Sequence, residues 1–259
     1  MSAGRSERIT LLVAEQAARR GARVGVLDVC TAAVAALPVG GAGVSAMSDS
    51  AASHPLCSTD GVSEELEELQ LTLGEGPCID AFALGVAVLT PDLRTDEVRA
   101  RWPVFASSAA EAGAAALFAL PLQIGAICPG VLDLYAHAPV ELGADELADA
   151  LAFADAATLV LLDSRIEEPD AFAADGPPRD GRFEDLGGYR AEIDQATGML
   201  TVQLGIGIEE ALVRLRAHAY AHGRRLADVA ADVVAHRLRL PPDPAPDPRP
   251  EPGRADGGN

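Results

Sequence analysis

The chain has 259 residues, of which 49% are hydrophobic but only 4% aromatic, so a core must be built chiefly from Ala, Val and Leu. A net charge of −19, with Arg as the sole basic side chain, excludes a chain that coats nucleic acid non-specifically. Cys30, Cys57, Cys78 and Cys128 form no C-x-x-C pair, which excludes the common zinc patterns and a disulfide framework.

Ile9, Leu12, Val13 and Ala17 recur at helical spacing and predict a helix over 5–20. A second helix over 23–37 stops at Pro38, and 40–48 is a glycine-led strand. The small, polar stretch 50–62 contains Pro55 and predicts a loop. Residues 64–73 fit either a short acidic helix or a loop running into Gly74-Glu75-Gly76-Pro77-Cys78, with Pro77 where a helix begins. A short strand over 86–90 precedes Pro91, and 102–116 is an Ala-rich helix. Strands over 117–124 and 130–137 flank a hairpin turn at 125–130, and a long Ala/Leu helix covers 145–165. Strands joined by a short turn, with helices at both ends, predict an α+β domain with an antiparallel sheet.

Pro169, Gly176-Pro177-Pro178 and several acids mark 167–188 as a linker between an N-terminal domain, 1–166, and a C-terminal module, 189–240. The tail 241–259 alternates Pro with charged residues and is expected to be disordered. From 189 to 240 the chain has seven Arg against six acids, which leaves −20 on the remainder. No apolar run spans a bilayer and no secretion signal opens the chain, so a cytoplasmic protein is expected.

The C-terminal module reads as three short helices. Ile193, Ala196, Leu200 and Leu204 form the inward stripe of the first, with Gln195, Thr197 and Gly198 off it. Gly198 costs about 1 kcal/mol relative to Ala in a helix, which suggests a close approach by another helix or a ligand. Ile208, Ala211, Leu212, Leu215, Ala219 and His222 form the second stripe. Arg216, Tyr220 and Arg224 follow at four-residue steps on one flank, with Arg214 on the other and Arg225 just beyond. An aromatic ring between guanidinium groups suits an unpaired base held beside its phosphates, although solvated helix faces of this composition are common. The third helix packs through Leu226, Val229, Ala230 and Val233, with Arg237 and Arg239 near its end. His218 and His222 have the spacing of a two-histidine metal site, but no H-E-x-x-H pattern or third ligand accompanies them. Neither metal nor cofactor is expected.

The run Ile193-Asp194-Gln195-Ala196-Thr197-Gly198-Met199-Leu200, followed by residues 209–240, resembles the ANTAR domain of bacterial antitermination regulators. LQLTLGEGPCIDAF (69–82), RWPVFA (101–106) and LFALPLQIGAICPGVLDLY (117–135) resemble the GAF domains fused to ANTAR modules in actinobacterial regulators. The first resemblance covers about 189–240 and the second about 23–165. Together they imply an α+β GAF-like sensor followed by an all-α three-helix module that binds RNA with two short hairpins and prevents terminator formation. Gln195, Thr197, Gly198, Arg214, Arg216, Tyr220, Arg224 and Arg225 are the candidate RNA-binding residues. Many ANTAR members have Lys where this chain has Thr197. Cys78, Ile79, Phe82, Trp102 and Phe105 are the candidate lining of a sensor pocket for an unknown small molecule, although any single one of them more often simply fills a core.

Paired hairpins imply a homodimer, for which Leu147, Leu151, Ala154, Thr158 and Leu161 offer a partner-facing stripe. Two alternatives compete with this reading. A GAF-type thiol enzyme, similar to free methionine sulfoxide reductase, needs Cys57, Cys78 and Cys128 to meet. A dimeric scaffold predicts no affinity for hairpin RNA at any salt.

Overall fold

The computed structural model describes residues 2–47, 54–125, 127–167 and 184–241. In the N-terminal part, α1 (Ser2–Arg20) and α2 (Val26–Ala36) precede β1 (Gly41–Ala46) and β2 (His54–Ser58). Then come α3 (Gly61–Leu73), α4 (Pro77–Leu84), β3 (Val88–Thr90), α5 (Asp96–Arg101) and α6 (Pro103–Glu111). The strands β4 (Ala116–Ile124) and β5 (Ile127–Ala136) and the helix α7 (Ala144–Glu167) close this part. The five strands form one antiparallel sheet in the order β2-β1-β5-β4-β3.

Alternation along the strands gives the sheet two covered faces. Phe118, Leu120 and Leu122 of β4 and Leu132 and Leu134 of β5 join Val29, Ala33, Phe153 and Ala157 from the α1/α2/α7 layer. Leu117, Ala119, Val131 and Tyr135 face the other way, onto Leu66, Ala81 and Phe105 from α3, α4 and α6. Ion pairs from Arg5 and Arg8 to Asp149, at 2.7 and 2.6 Å, tie α1 to α7.

Local chemistry sets the boundaries. Asp60 caps α3, its Oδ1 accepting the Val62 and Ser63 amides at 2.9 Å each, and Gly74 ends that helix in the left-handed region at φ 69°. The segment expected as a loop contains β2, because Pro55 is tolerated on an edge strand where no neighbour needs its missing amide. The expected helix over 102–116 is the shorter α6, which ends at Glu111, and Ala116 already opens β4; α5, which the sequence did not mark, stops at Trp102 because Pro103 lacks the N–H that would continue it. The hairpin turn is tighter than expected, with Ile124 paired to Ile127.

The stripe assigned to a partner is largely used at home. Ala154, Thr158 and Leu161 of α7 are buried in the chain's own core, whereas Leu151 is 44% exposed. Three helices complete the chain: α8 (Glu184–Leu204), α9 (Ile208–Ala221) and α10 (Leu226–Val234). The last residues of the expected linker already belong to α8, since Gly187 and Gly188 weaken a helix without stopping it. Residues 168–183 of that linker and 242–259 of the tail lie outside the described residues.

Candidate nucleic-acid interface and sensor core

The C-terminal helices close around Ile193, Ala196, Leu200, Ala211, Leu215, Ala219, Leu226, Val229, Ala230 and Val233, all essentially buried. Gly205 and Gly223, with φ of 68° and 58°, end α8 and α9. Two residues of the expected second stripe lie outside the core: Ile208 is 63% exposed, and His222 is exposed too. Arg237 and Arg239 lie beyond the end of α10 rather than in its last turn.

The eight candidate RNA-binding residues do not share one environment. Gln195 and Gly198 are exposed, and a Cβ at Gly198 would meet nothing within 4 Å, so no neighbouring helix among the described residues accounts for that glycine. Thr197, expected off the inward stripe, is buried. Four residues on from Ile193 it faces the core, and its hydroxyl donates to the Ile193 carbonyl at 2.7 Å. Tyr220 is 47% exposed. Arg214 pairs with Glu210 at 3.1 Å, one turn back. Arg224 and Arg237 both reach Asp232, at 2.7 Å each, and hold its carboxyl below the usual carboxylate range. The His218 and His222 rings stack with centroids 4.0 Å apart, and burial, followed by His222 and Arg224, lowers the His218 pKa.

Arg216 and Arg225 turn toward the sheet domain. The Arg216 guanidinium lies against Gly74, where an added Cβ would come within 2.8 Å of its Nη1. Arg225 pairs with Glu64 at 3.4 Å, and the Leu226 amide at the start of α10 donates to Glu68 Oε1 at 2.7 Å. Leu71 of α3 completes the apolar core of the helical module. One helix of the sheet domain therefore caps, neutralises and packs against the module that carries the candidate face. Sequence reading missed this role of α3, although the repeated acids of EELEEL were a signal that one side of it seeks cations.

The candidate sensor residues meet on the α3/α4/α6 side of the sheet. Cys78, Trp102 and Phe105 are buried at 2%, 3% and 0% exposure, and Phe82 packs at their edge, with Ile79 half-buried. Glu75 accepts the Val104 and Phe105 amides at 2.9 and 2.8 Å, and the Trp102 indole donates to Asp80 at 3.2 Å. These contacts fix α6 against the loop before α4. Shallow surface depressions of about 340 and 350 Å³ lie along α1 and include none of the five residues.

On the α3/α4 side of the sheet is a polar group that the sequence did not reveal. Glu67 of α3, Cys78 of α4 and Asp133 of β5 are all buried, with ligand atoms within 4.8 Å of one another. Burial and the charge of Asp133 push the Glu67 pKa well up, and burial raises that of Asp133 to about 6. Burial, then Asp133 and Glu67, drives the Cys78 thiol up as well. An acid between Leu132 and Leu134 in an apolar strand was the available signal. Of the cysteines that the thiol-enzyme reading needs, Cys57 lies 3.5 Å from Cys30 and Cys128 is close enough to act on Cys78, but Cys30 and Cys78 are buried with raised pKa values, which disfavours the nucleophilic thiolate.

Residues 188–234 match the ANTAR domain family. No curated protein matches the chain. The N-terminal part is similar to the GAF domain of a phosphoenolpyruvate-protein phosphotransferase from Coxiella burnetii, at 12% identity over 63% of this chain and 98% of that one, with a TM-score of 0.46. The corresponding GAF domain from Acinetobacter gives 14% identity, 64% and 95% coverage and a TM-score of 0.47. A type II free methionine-R-sulfoxide reductase from Thermoplasma acidophilum gives 13%, 60% and 94%, with a TM-score of 0.41. The protein combines a five-stranded α+β domain with an all-α module. The match to the ANTAR family falls on that module. Among the described residues, no helix is long and apolar enough to cross a membrane.

Proposed function

We propose that the protein is a cytoplasmic regulator that binds paired short hairpins in nascent transcripts and prevents terminator formation, under control of the GAF-like domain. The observation that carries this reading is the match of 188–234 to the ANTAR family. The half-exposed Tyr220 ring at the end of α9 supports it as a base-stacking position, and Arg224, just past that end, is a candidate phosphate contact. The grip of α3 on Arg216 and Arg225 supports the control step, because a signal that loosens α3 frees those cations for RNA. Two hairpins call for two readers, so the regulator acts as a homodimer. The paired surface does not include Ala154, Thr158 and Leu161, which are buried within the protomer.

Binding of a two-hairpin RNA by the full chain tests the reading. Tyr220→Ala loses about 1–3 kcal/mol of affinity with the salt slope nearly unchanged. Arg216→Ala lowers the salt slope by about one unit. A folded parent that does not prefer looped over duplex RNA ends the antiterminator reading and favours the scaffold. Light scattering that finds only monomer at micromolar concentration, with and without RNA, ends the dimer.

A further inference from the structure

We infer that Glu67, Cys78 and Asp133 form a binding site for one divalent transition-metal ion of the zinc or ferrous type. Two carboxylates and a thiolate are a mixed oxygen and sulfur donor set, which suits such ions rather than the all-oxygen preference of calcium or magnesium. Three protein ligands leave a fourth position open. The donor atoms, now within 4.8 Å of one another, must close to roughly 3.5 Å, the separation that tetrahedral bonds of ~2.0–2.3 Å impose. Side-chain movements of about an ångström achieve that.

Each ligand is already oriented by a second group. Gln70 donates from Nε2 to Asp133 Oδ2 at 2.8 Å and accepts the Cys78 amide on Oε1 at 2.7 Å, so it couples two of the three. The Ser45 hydroxyl donates to Glu67 Oε2. Orienting partners of this kind are the usual surroundings of metal ligands. Glycines keep the space clear: a Cβ at Gly43 would approach Glu67 Oε1 to 2.5 Å, and one at Gly76 would approach Gln70 Oε1 to 2.7 Å. A separate observation points to an occupant. Asp133 is 3% exposed, and its Oδ1 accepts no well-formed hydrogen bond although Glu67 and Cys78 lie against the carboxylate. A buried carboxylate oxygen left without a well-formed hydrogen bond is costly, and a cation removes that cost.

The site also lies where a sensor's ligand would act, a point that rests on the function proposed above. Glu67 and Gln70 face the cluster, while Glu68 and Leu71, one residue further along the same helix, hold the ANTAR module. An ion that draws Glu67 toward Asp133 shifts α3 against that module.

The experiment titrates the chelator-treated full chain with cobalt(II), the probe ion, while absorption is recorded in the thiolate-to-cobalt charge-transfer region. Bound zinc and iron are then measured in protein reconstituted with each ion. The expected result is one equivalent of metal and a charge-transfer band that survives in Cys57→Ser and Cys128→Ser but disappears in Cys78→Ser. Gln70→Ala, which leaves all three ligands in place, should weaken binding about 10–100-fold. Surface carboxylates give no such band, so binding without it, or a band retained in Cys78→Ser, overturns the site. A parent chain that binds no metal overturns it regardless of how any variant folds. Hairpin-RNA binding is scored separately with and without zinc: loss of RNA binding in both arms sinks the antiterminator reading and leaves the metal site standing.

Discussion

On β5, Leu132 and Leu134 point into the dry layer under α1, α2 and α7, while Asp133 between them points at Glu67 and Cys78. The dry face is closed by Phe118, Leu120, Phe153 and small Ala side chains, all buried. The opposite face has a comparable apolar frame, Leu66, Trp102 and Phe105, but surrounds a polar group that must be desolvated. The first face holds the domain together. The second carries chemistry at a cost in stability, and it also sends α3 out to grip the C-terminal module.

The sharpest way to break that contrast is to mutate both faces. Phe118→Ala should cost about 3–5 kcal/mol, as large core deletions do. Asp133→Asn in metal-free protein should shift stability by less than about 1.5 kcal/mol, since it exchanges a buried oxygen without a well-formed hydrogen bond for an amide. Equal losses in urea denaturation would show that both faces serve only as core.

Leu71→Ala tests the outward side of α3. It should cost about 2–4 kcal/mol, taken from the ANTAR module and its contact rather than from the sheet domain. Calorimetry should show the C-terminal transition falling while the N-terminal one moves little, and a uniform shift of both would contradict the division.

Asp60→Ala removes the cap of α3 and should cost about 1 kcal/mol at neutral pH. Burial alone would raise the Asp60 pKa, but hydrogen bonds from the Ser63 and Val62 amides, Thr59 and Tyr135 outweigh it and hold the carboxyl below its usual range. A lowered folded-state pKa gives stability that is present above the unfolded value near 4 and is lost as pH falls through the folded value. The difference between Asp60→Ala and the parent should therefore shrink toward acid pH; a difference that grows there would refute this account. Arg225→Ala, whose ion pair with Glu64 is half-exposed, should change stability by no more than about 0.5 kcal/mol. Its effect belongs in the RNA salt dependence.

Much of the architecture was legible along the chain. Helical spacing marked α1, α2 and α7–α10, and turn residues marked the β4–β5 hairpin. The errors have physical causes. Pro55 concealed β2 because an edge strand forgives a missing amide, and Thr197 was placed outward although a step of four from Ile193 brings it back to the core. The α7 stripe was correctly amphipathic, but periodicity does not say whether an apolar face meets its own sheet or a partner.

The sequence by itself determined the apolar stripe of α10 and most of those of α8 and α9, with Thr197, Ile208 and His222 the exceptions. These are properties of neighbours within a few turns, and side-chain periodicity reports them directly. Only the tertiary structure decided that Arg216 and Arg225 lie against α3, and that Glu67, Cys78 and Asp133 share one buried point. Those groups are separated by many residues along the chain. Their electrostatics arise from desolvation and mutual charge, quantities that exist only once the sheet and its covering helices have brought them together.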